Sequence, residues 1–315
     1  MQTRQMPLYQ MMTYHLGWDD REGNQTHPLD IQRSHGVTCL TACSLLGGDF
    51  SHALPAAAAV DLVNSFCEIH DDVQGGHPQR NNRDAVWWVW GPAQAINAGD
   101  GMHALARLAV FRLQERGVSA ENAFRAVKLL DESSLRACEG RFQDMESQER
   151  IDITVDAYLE MAEAKTGALF SCAMRLGGLV ASANSSMMDA LGASGAKLGL
   201  AVQVREDILE LWGSDVSNEI MNKKKLLPVA YAFEEAEVGV KRLLGEIYFK
   251  RVLERDDVNK LRNILEDLGA REYSERLLKN LKSEVESSLD VDGASVEAVS
   301  AAKELLDSLV GPVSS

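Results

Sequence analysis

Apolar residues recur along this chain at intervals of three and four, the period of an α-helix. The two-residue alternation of a half-buried strand is not found. The pattern predicts helices over residues 37–46, 54–72, 92–114, 120–139, 151–162, 168–183, 187–210 and 229–237. Amphipathic helices rich in Glu/Lys pairs follow as far as Leu309. Gly47-Gly48 ends the first helix and Gly75-Gly76-His77-Pro78 the second, where Pro55 suits the opening turn. Gly99 and Gly101 predict an interruption of the helix over 92–114. The helix over 120–139 is amphipathic, with apolar residues at Ala123, Val127, Leu130 and Leu135. Residues 79–84 read as a polar loop, Trp212-Gly213 as a helix stop, and 223–228 as a basic turn. Residues 1–36 are polar and irregular, punctuated by Gly17, Gly23, Pro28 and Gly36.

The helices at the centre of the chain are apolar nearly all round, which marks them as buried. The expectation is therefore an all-α protein: an N-terminal polar segment over 1–30, then a single all-α domain over 31–310. No repeat and no internal linker breaks it. Composition agrees, with abundant Ala, Leu, Glu and Lys and only seven prolines among 315 residues. The stretch over 168–183 comes nearest to a membrane span. Ser171, Arg175, Gly177, Gly178 and Ser182 break it, and it falls short of the ~20 apolar residues a span needs. No stable membrane insertion is expected. Residues 1–16 lack the basic-then-apolar order of a leader. The five cysteines form no CxxC pair, which suits free thiols in a reducing cytosol, so the reading is a cytoplasmic protein. A net charge of −15 argues against a nucleic-acid surface. An anionic substrate would need local basic groups or metal ions to approach.

Candidate chemistry concentrates in two acidic motifs. His70-Asp71-Asp72-Val73-Gln74 lies at the C-terminal end of an apolar helix, where the helix dipole disfavours negative charge. Solvent or a metal ion would offset that. Gln203-Val204-Arg205-Glu206-Asp207-Ile208-Leu209-Glu210 sets Glu206, Asp207 and Glu210 within one turn of each other. Facing carboxylates of this kind suit Mg²⁺, which takes one or two of them and completes its octahedron with water and phosphate oxygens. Either motif alone reads more readily as a solvated acidic patch; the two together, each on an apolar helix, point to a metal-diphosphate site. Basic partners follow each: Arg80 after the first, Lys223-Lys224-Lys225 after the second, with Lys165-Thr166 at the start of an apolar helix.

With Trp90-Gly91, the Gln94–Asp100 run, Leu226-Leu227-Pro228 and Gly269–Tyr273 in this order, the chain resembles the trans-isoprenyl diphosphate synthases of the polyprenyl synthetase family over residues 30–280. The resemblance implies an isoprenoid synthase-type bundle of roughly a dozen helices around a central apolar cavity, most often a homodimer. It implies up to three Mg²⁺ held by Asp71, Asp72, Glu206, Asp207 and Glu210. An allylic prenyl diphosphate would meet Arg80, Lys165, Thr166, Gln203 and Lys224. Ionisation would leave an allylic cation, with metals and basic groups stabilising the departing diphosphate. Phe66, five residues before Asp71, sits where a bulky side chain shortens the product; ordinary core packing is the plain alternative.

The chain departs from the family in two places. The first motif has Gly75 where a third aspartate is usual, and glutamates replace aspartates at 206 and 210. The lysine usual after the second motif has no clear equivalent over 213–219. The basic groups that bind isopentenyl diphosphate fall on Gln32, His35, Asn64 and Asn81. Losing several charged hydrogen bonds, each worth about 1.5–3 kcal/mol, predicts no useful affinity there. His35 regains some charge only below pH ~6.5. Glu68 shares the helix face of Asp71; it is either paired with a neighbouring arginine or a base acting on a carbocation. Trp87, Trp88 and Trp90 are candidates to line the cavity. The leading expectation is thus a class I terpene synthase on this fold, ionising an allylic diphosphate that cyclises or loses a proton. The alternatives are a prenyltransferase with another acceptor, a non-catalytic subunit paired with a paralogous prenyl synthase, and a polyprenyl diphosphate synthase.

Overall fold

The computed structural model describes residues 6–26, 31–213 and 218–311, with the backbone alone at 218 and 219. Pro28 and most of the loop expected to lack a lysine, 214–217, lie outside the described residues. Fifteen α-helices form among those described. The first half holds α1 (Pro7–His15), α2 (Ser34–Leu45), α3 (Phe50–Gly75), α4 (Val86–Trp90), α5 (Pro92–Phe111) and α6 (Ala120–Ser147). Then come α7 (Val155–Ala162), a π-helical turn (Glu163–Gly167), α8 (Ala168–Val180) and α9 (Ser185–Trp212). The last third holds α10 (Asn218–Met221), α11 (Leu227–Glu235), α12 (Val238–Tyr248), α13 (Arg255–Asp267), α14 (Ala270–Ser288) and α15 (Val296–Val310).

The expected all-α bundle is what the chain forms. Helix α3 packs against α2, α5 and α8, and α9 packs against α8, the π turn and α14. Ala53, Ala56, Ala57 and Ala59 on α3 are buried and let its neighbours come close. Asp49 caps α3 by accepting from the Ser51 amide (2.8 Å), so the helix starts one turn before the position Pro55 suggests. It ends at Gly76 in the left-handed conformation, with the Gly76 amide donating to Asp72. No helix among the described residues is long and apolar enough to cross a membrane.

Three local expectations are corrected. Residues 7–15 are helical, not irregular: Met11, Met12 and Tyr14 bury themselves beside Ile69, Val86 and Met102. Helix α5 is not interrupted at Gly99. A Cβ there would stand 2.4 Å from the His70 ring, so glycine serves the close approach of α5 to α3. The polar loop over 79–84 is a tight hairpin, β1 (Gln79–Arg80) against β2 (Arg83–Asp84). Asn81 and Asn82 both take positive φ, the geometry of a two-residue turn whose twist suits the strands.

Candidate active site

The two acidic helices face each other across a cavity of about 540 Å³. Its lining includes Glu68, Asp71 and Asp72 from α3 and Gln203, Glu206, Asp207 and Glu210 from α9. Polar and charged groups dominate it; Met161, Leu169, Phe170, Val202 and Leu226 supply the apolar part. The central cavity is therefore far less apolar than the resemblance implied.

At the first motif, the hairpin turns Arg80 back onto α3. Its Nε donates to both oxygens of Asp72 (3.0 Å each) and its Nη2 to Oδ1 (2.7 Å). Asp72 is buried. Asp71 is held by Arg141 of α6, whose Nε lies 2.9 and 3.2 Å from its two oxygens. Glu68 faces the cavity as expected and is paired. It accepts from Asn64 (3.0 Å), meets His15 of α1 (3.2 Å) and stands 3.8 Å from Arg80. Burial works to raise its pKa, but His15 and Arg80 outweigh burial and hold the carboxyl at about 2.

At the second motif, Asp207 is 1% exposed. It accepts from the Tyr158 hydroxyl, the Leu227 amide (2.7 Å) and Gln203 (2.9 Å). Burial pushes its pKa to about 6 in spite of these donors, and pushes Glu206 to about 7. Gln203 is itself fixed by the Thr166 hydroxyl (2.6 Å). Lys165, presented by the π turn, donates to Asp144 of α6 (2.7 Å), and Lys224 stands 3.7 Å from the same carboxylate. The lysine run is thus no solvated face. Lys225 is buried over the Tyr248 ring (4.2 Å) and donates to the Gln148 carbonyl (2.7 Å); burial lowers its pKa to about 8.

Several expected site residues lie elsewhere. Phe66 is absent from the cavity lining and packs against His70 and His103 (ring centroids 4.7 and 5.3 Å). On α3 it points opposite to Asn64, Glu68 and Asp71. The three tryptophans of α4 also stand off the lining. Trp87 donates to the His77 carbonyl, Trp90 packs on Tyr14, and Trp88 is exposed. Gln32 is exposed and off the lining, whereas His35, Asn64 and Asn81 line it. His35 is buried against Phe170 (4.2 Å), and burial lowers its pKa to about 4, so it gains no charge near pH 6. Reading the sequence did not single out Arg141, Asp144, Tyr158 or His15. Arg141 and Asp144 share a face of α6, in a stretch where the apolar pattern suggests the helix has already ended.

The donor set fits Mg²⁺ in kind: hard carboxylate oxygens on facing helices, with basic groups around them. Among the described residues, no three acidic, histidine or cysteine side chains already converge on one point. A divalent ion would therefore be held by one or two carboxylates together with phosphate oxygens of a ligand.

Fold and site together define an α-helical bundle with a cavity walled by two acidic helices and ringed by basic side chains. A family profile for polyprenyl synthetases matches residues 32–265, and the chain belongs to that family. It is 33% identical to geranylgeranyl diphosphate synthase of Mycobacterium tuberculosis over 86% of this chain and 78% of that one. It is 35% identical to geranylfarnesyl diphosphate synthase of Aeropyrum pernix, covering 87% and 86%. Among solved structures, geranylgeranyl pyrophosphate synthetase of Pyrococcus horikoshii superposes with a TM-score of 0.86 at 27% identity, covering 97% and 90%. Polyprenyl synthetase of Streptomyces coelicolor gives 0.84 at 30%, covering 96% and 92%. The first three of these are named as diphosphate or pyrophosphate synthases. They favour the polyprenyl diphosphate synthase reading over the terpene synthase that led the expectations.

Proposed function

We propose that the protein is a prenyltransferase of the prenyl diphosphate synthase class. It ionises an allylic prenyl diphosphate with Mg²⁺ and joins the prenyl group to a second substrate, for which isopentenyl diphosphate is the first candidate. The observation that carries this is the convergence of Arg80, Lys165 and Lys224 on the cavity between Asp71-Asp72 and Glu206–Glu210. Mg²⁺, held with the diphosphate by one or two carboxylates drawn from Asp71, Asp72, Glu206, Asp207 and Glu210, chiefly Glu206 and Glu210 of α9, would supply Lewis-acid stabilisation of the leaving group. Lys165 and Lys224, steered by Asp144, neutralise phosphate oxygens. Arg80 presents a fixed guanidinium, and Thr166 with Gln203 orients the polar wall. Phe170, Leu169, Met161, Val202 and Leu226 keep water from the cation.

A second reading, cyclisation or proton loss without isopentenyl diphosphate, is favoured by one wall of the cavity. Ser34, His35, Asn64 and Asn81 there carry no positive charge at neutral pH. A homodimer belongs to the main proposal. Phe124, Leu135, Phe142 and Met145 are exposed apolar residues on one face of α6, at intervals of eleven, seven and three, and Leu108 and Phe111 of α5 are exposed as well. A cytoplasmic location also belongs to it, with all five cysteines free.

The test is incubation of purified protein with Mg²⁺ and geranyl, farnesyl or geranylgeranyl diphosphate, with and without isopentenyl diphosphate. Longer diphosphates formed only with isopentenyl diphosphate are expected. Hydrocarbon or alcohol formed without it would replace the main reading by the second. Turnover only after adding another prenyl synthase would mark a subunit role.

A further inference from the structure

Arg141 lines the cavity, and the proposed reaction gives it no task. Its position is built by its neighbour. At Gly140 a Cβ would stand 2.2 Å from the Lys165 amide nitrogen, so only glycine lets α6 press against the π turn. That approach carries the next side chain to Asp71. The Arg141 Nη1 donates to the carbonyls of Ala137 and Lys165 (3.2 Å each), while Nε meets both Asp71 oxygens. The guanidinium is thus fixed by two backbone carbonyls as well as by the carboxylate. The two side chains are 15% and 23% exposed, so solvent screens the pair only partly. Asp72 is gripped in the same way by Arg80, and Gly75 adds no carboxylate. Both charges of the first motif are already matched by arginines.

Resting on the diphosphate reading of the site, we propose that Arg141 is a built-in counter-ion of the first acidic motif. It competes with divalent metal for Asp71 and lowers the affinity of that motif for the ion. Its guanidinium stands as the fixed positive charge on that side of the diphosphate. Metal is then held chiefly from α9, through Glu206 and Glu210 and the phosphate oxygens.

The experiment is a Mn²⁺ titration of the full chain with saturating inorganic pyrophosphate, free Mn²⁺ being read by electron paramagnetic resonance. Arg141→Gln is expected to bind Mn²⁺ roughly tenfold tighter than the wild type. Arg141→Lys, which keeps the charge, is expected to stay within about threefold of it. Asp71→Asn should cost less than about threefold in the wild type and remove the whole gain in Arg141→Gln. Unchanged or weaker binding by a folded Arg141→Gln overturns the proposal. If that variant fails to fold, Asp71→Asn in the wild type decides, a loss above about threefold overturning it. No Mn²⁺–pyrophosphate binding by the wild type sinks the diphosphate reading itself, and this proposal with it.

Discussion

The Tyr158 hydroxyl donates to the carboxylate of Asp207, joining α7 to α9 where both residues are buried. Asp207 also accepts from the Leu227 amide at the first turn of α11. One carboxylate therefore ties three helices at the wall of the site. Tyr158→Phe removes one donor and keeps the ring. It should lower stability by about 1–3 kcal/mol, read as a shift of the urea midpoint. An unshifted midpoint would show that the bond adds nothing.

Glu68 is a carboxylate held by His15, Asn64 and Arg80, and its low pKa makes it a poor proton acceptor. Its consequence for turnover runs through the placement of Arg80. Glu68→Gln should lower kcat/KM about three- to tenfold with the same products. A changed product spectrum would make it instead a group acting on the cation.

His35 carries the clearest dependence on pH. Its folded pKa, lowered to about 4 by burial, lies below the ordinary 6.5. Between these values the unfolded chain binds the extra proton, so stability is full above pH 6.5 and falls as pH drops towards 4. The loss approaches about 3 kcal/mol. His35→Asn should flatten the fall of the urea midpoint between pH 6.5 and 4.5. Parallel profiles for the two proteins would remove His35 as the cause.

Phe66 faces α5, away from the cavity. Phe66→Leu should leave product chain length unchanged while costing about 1 kcal/mol of stability. Chromatography of the products decides: a longer product from this variant would place the side chain back at the cavity floor.

The sequence by itself determined the helical class, most helix spans and the membership of both acidic motifs, because periodicity, caps and adjacent carboxylates are local signals. It also marked Arg80, Lys165, Thr166, Gln203 and Lys224, which all reach the one cavity. The same local reasoning misjudged Gly99 and residues 7–15. A glycine that admits a neighbouring ring looks like one that breaks a helix, and a nine-residue helix gains its stability from burial against distant residues.

Only the tertiary structure decided what each charged group faces. Arg141 lies 70 residues from Asp71, and Tyr158 lies 49 from Asp207. Whether a carboxylate meets an arginine, a tyrosine or an open cavity depends on how α3, α6, α7 and α9 pack. The burial that lowers His35 and raises Glu206 and Asp207 arises from that packing, since desolvation is a property of the assembled helices and not of any one segment.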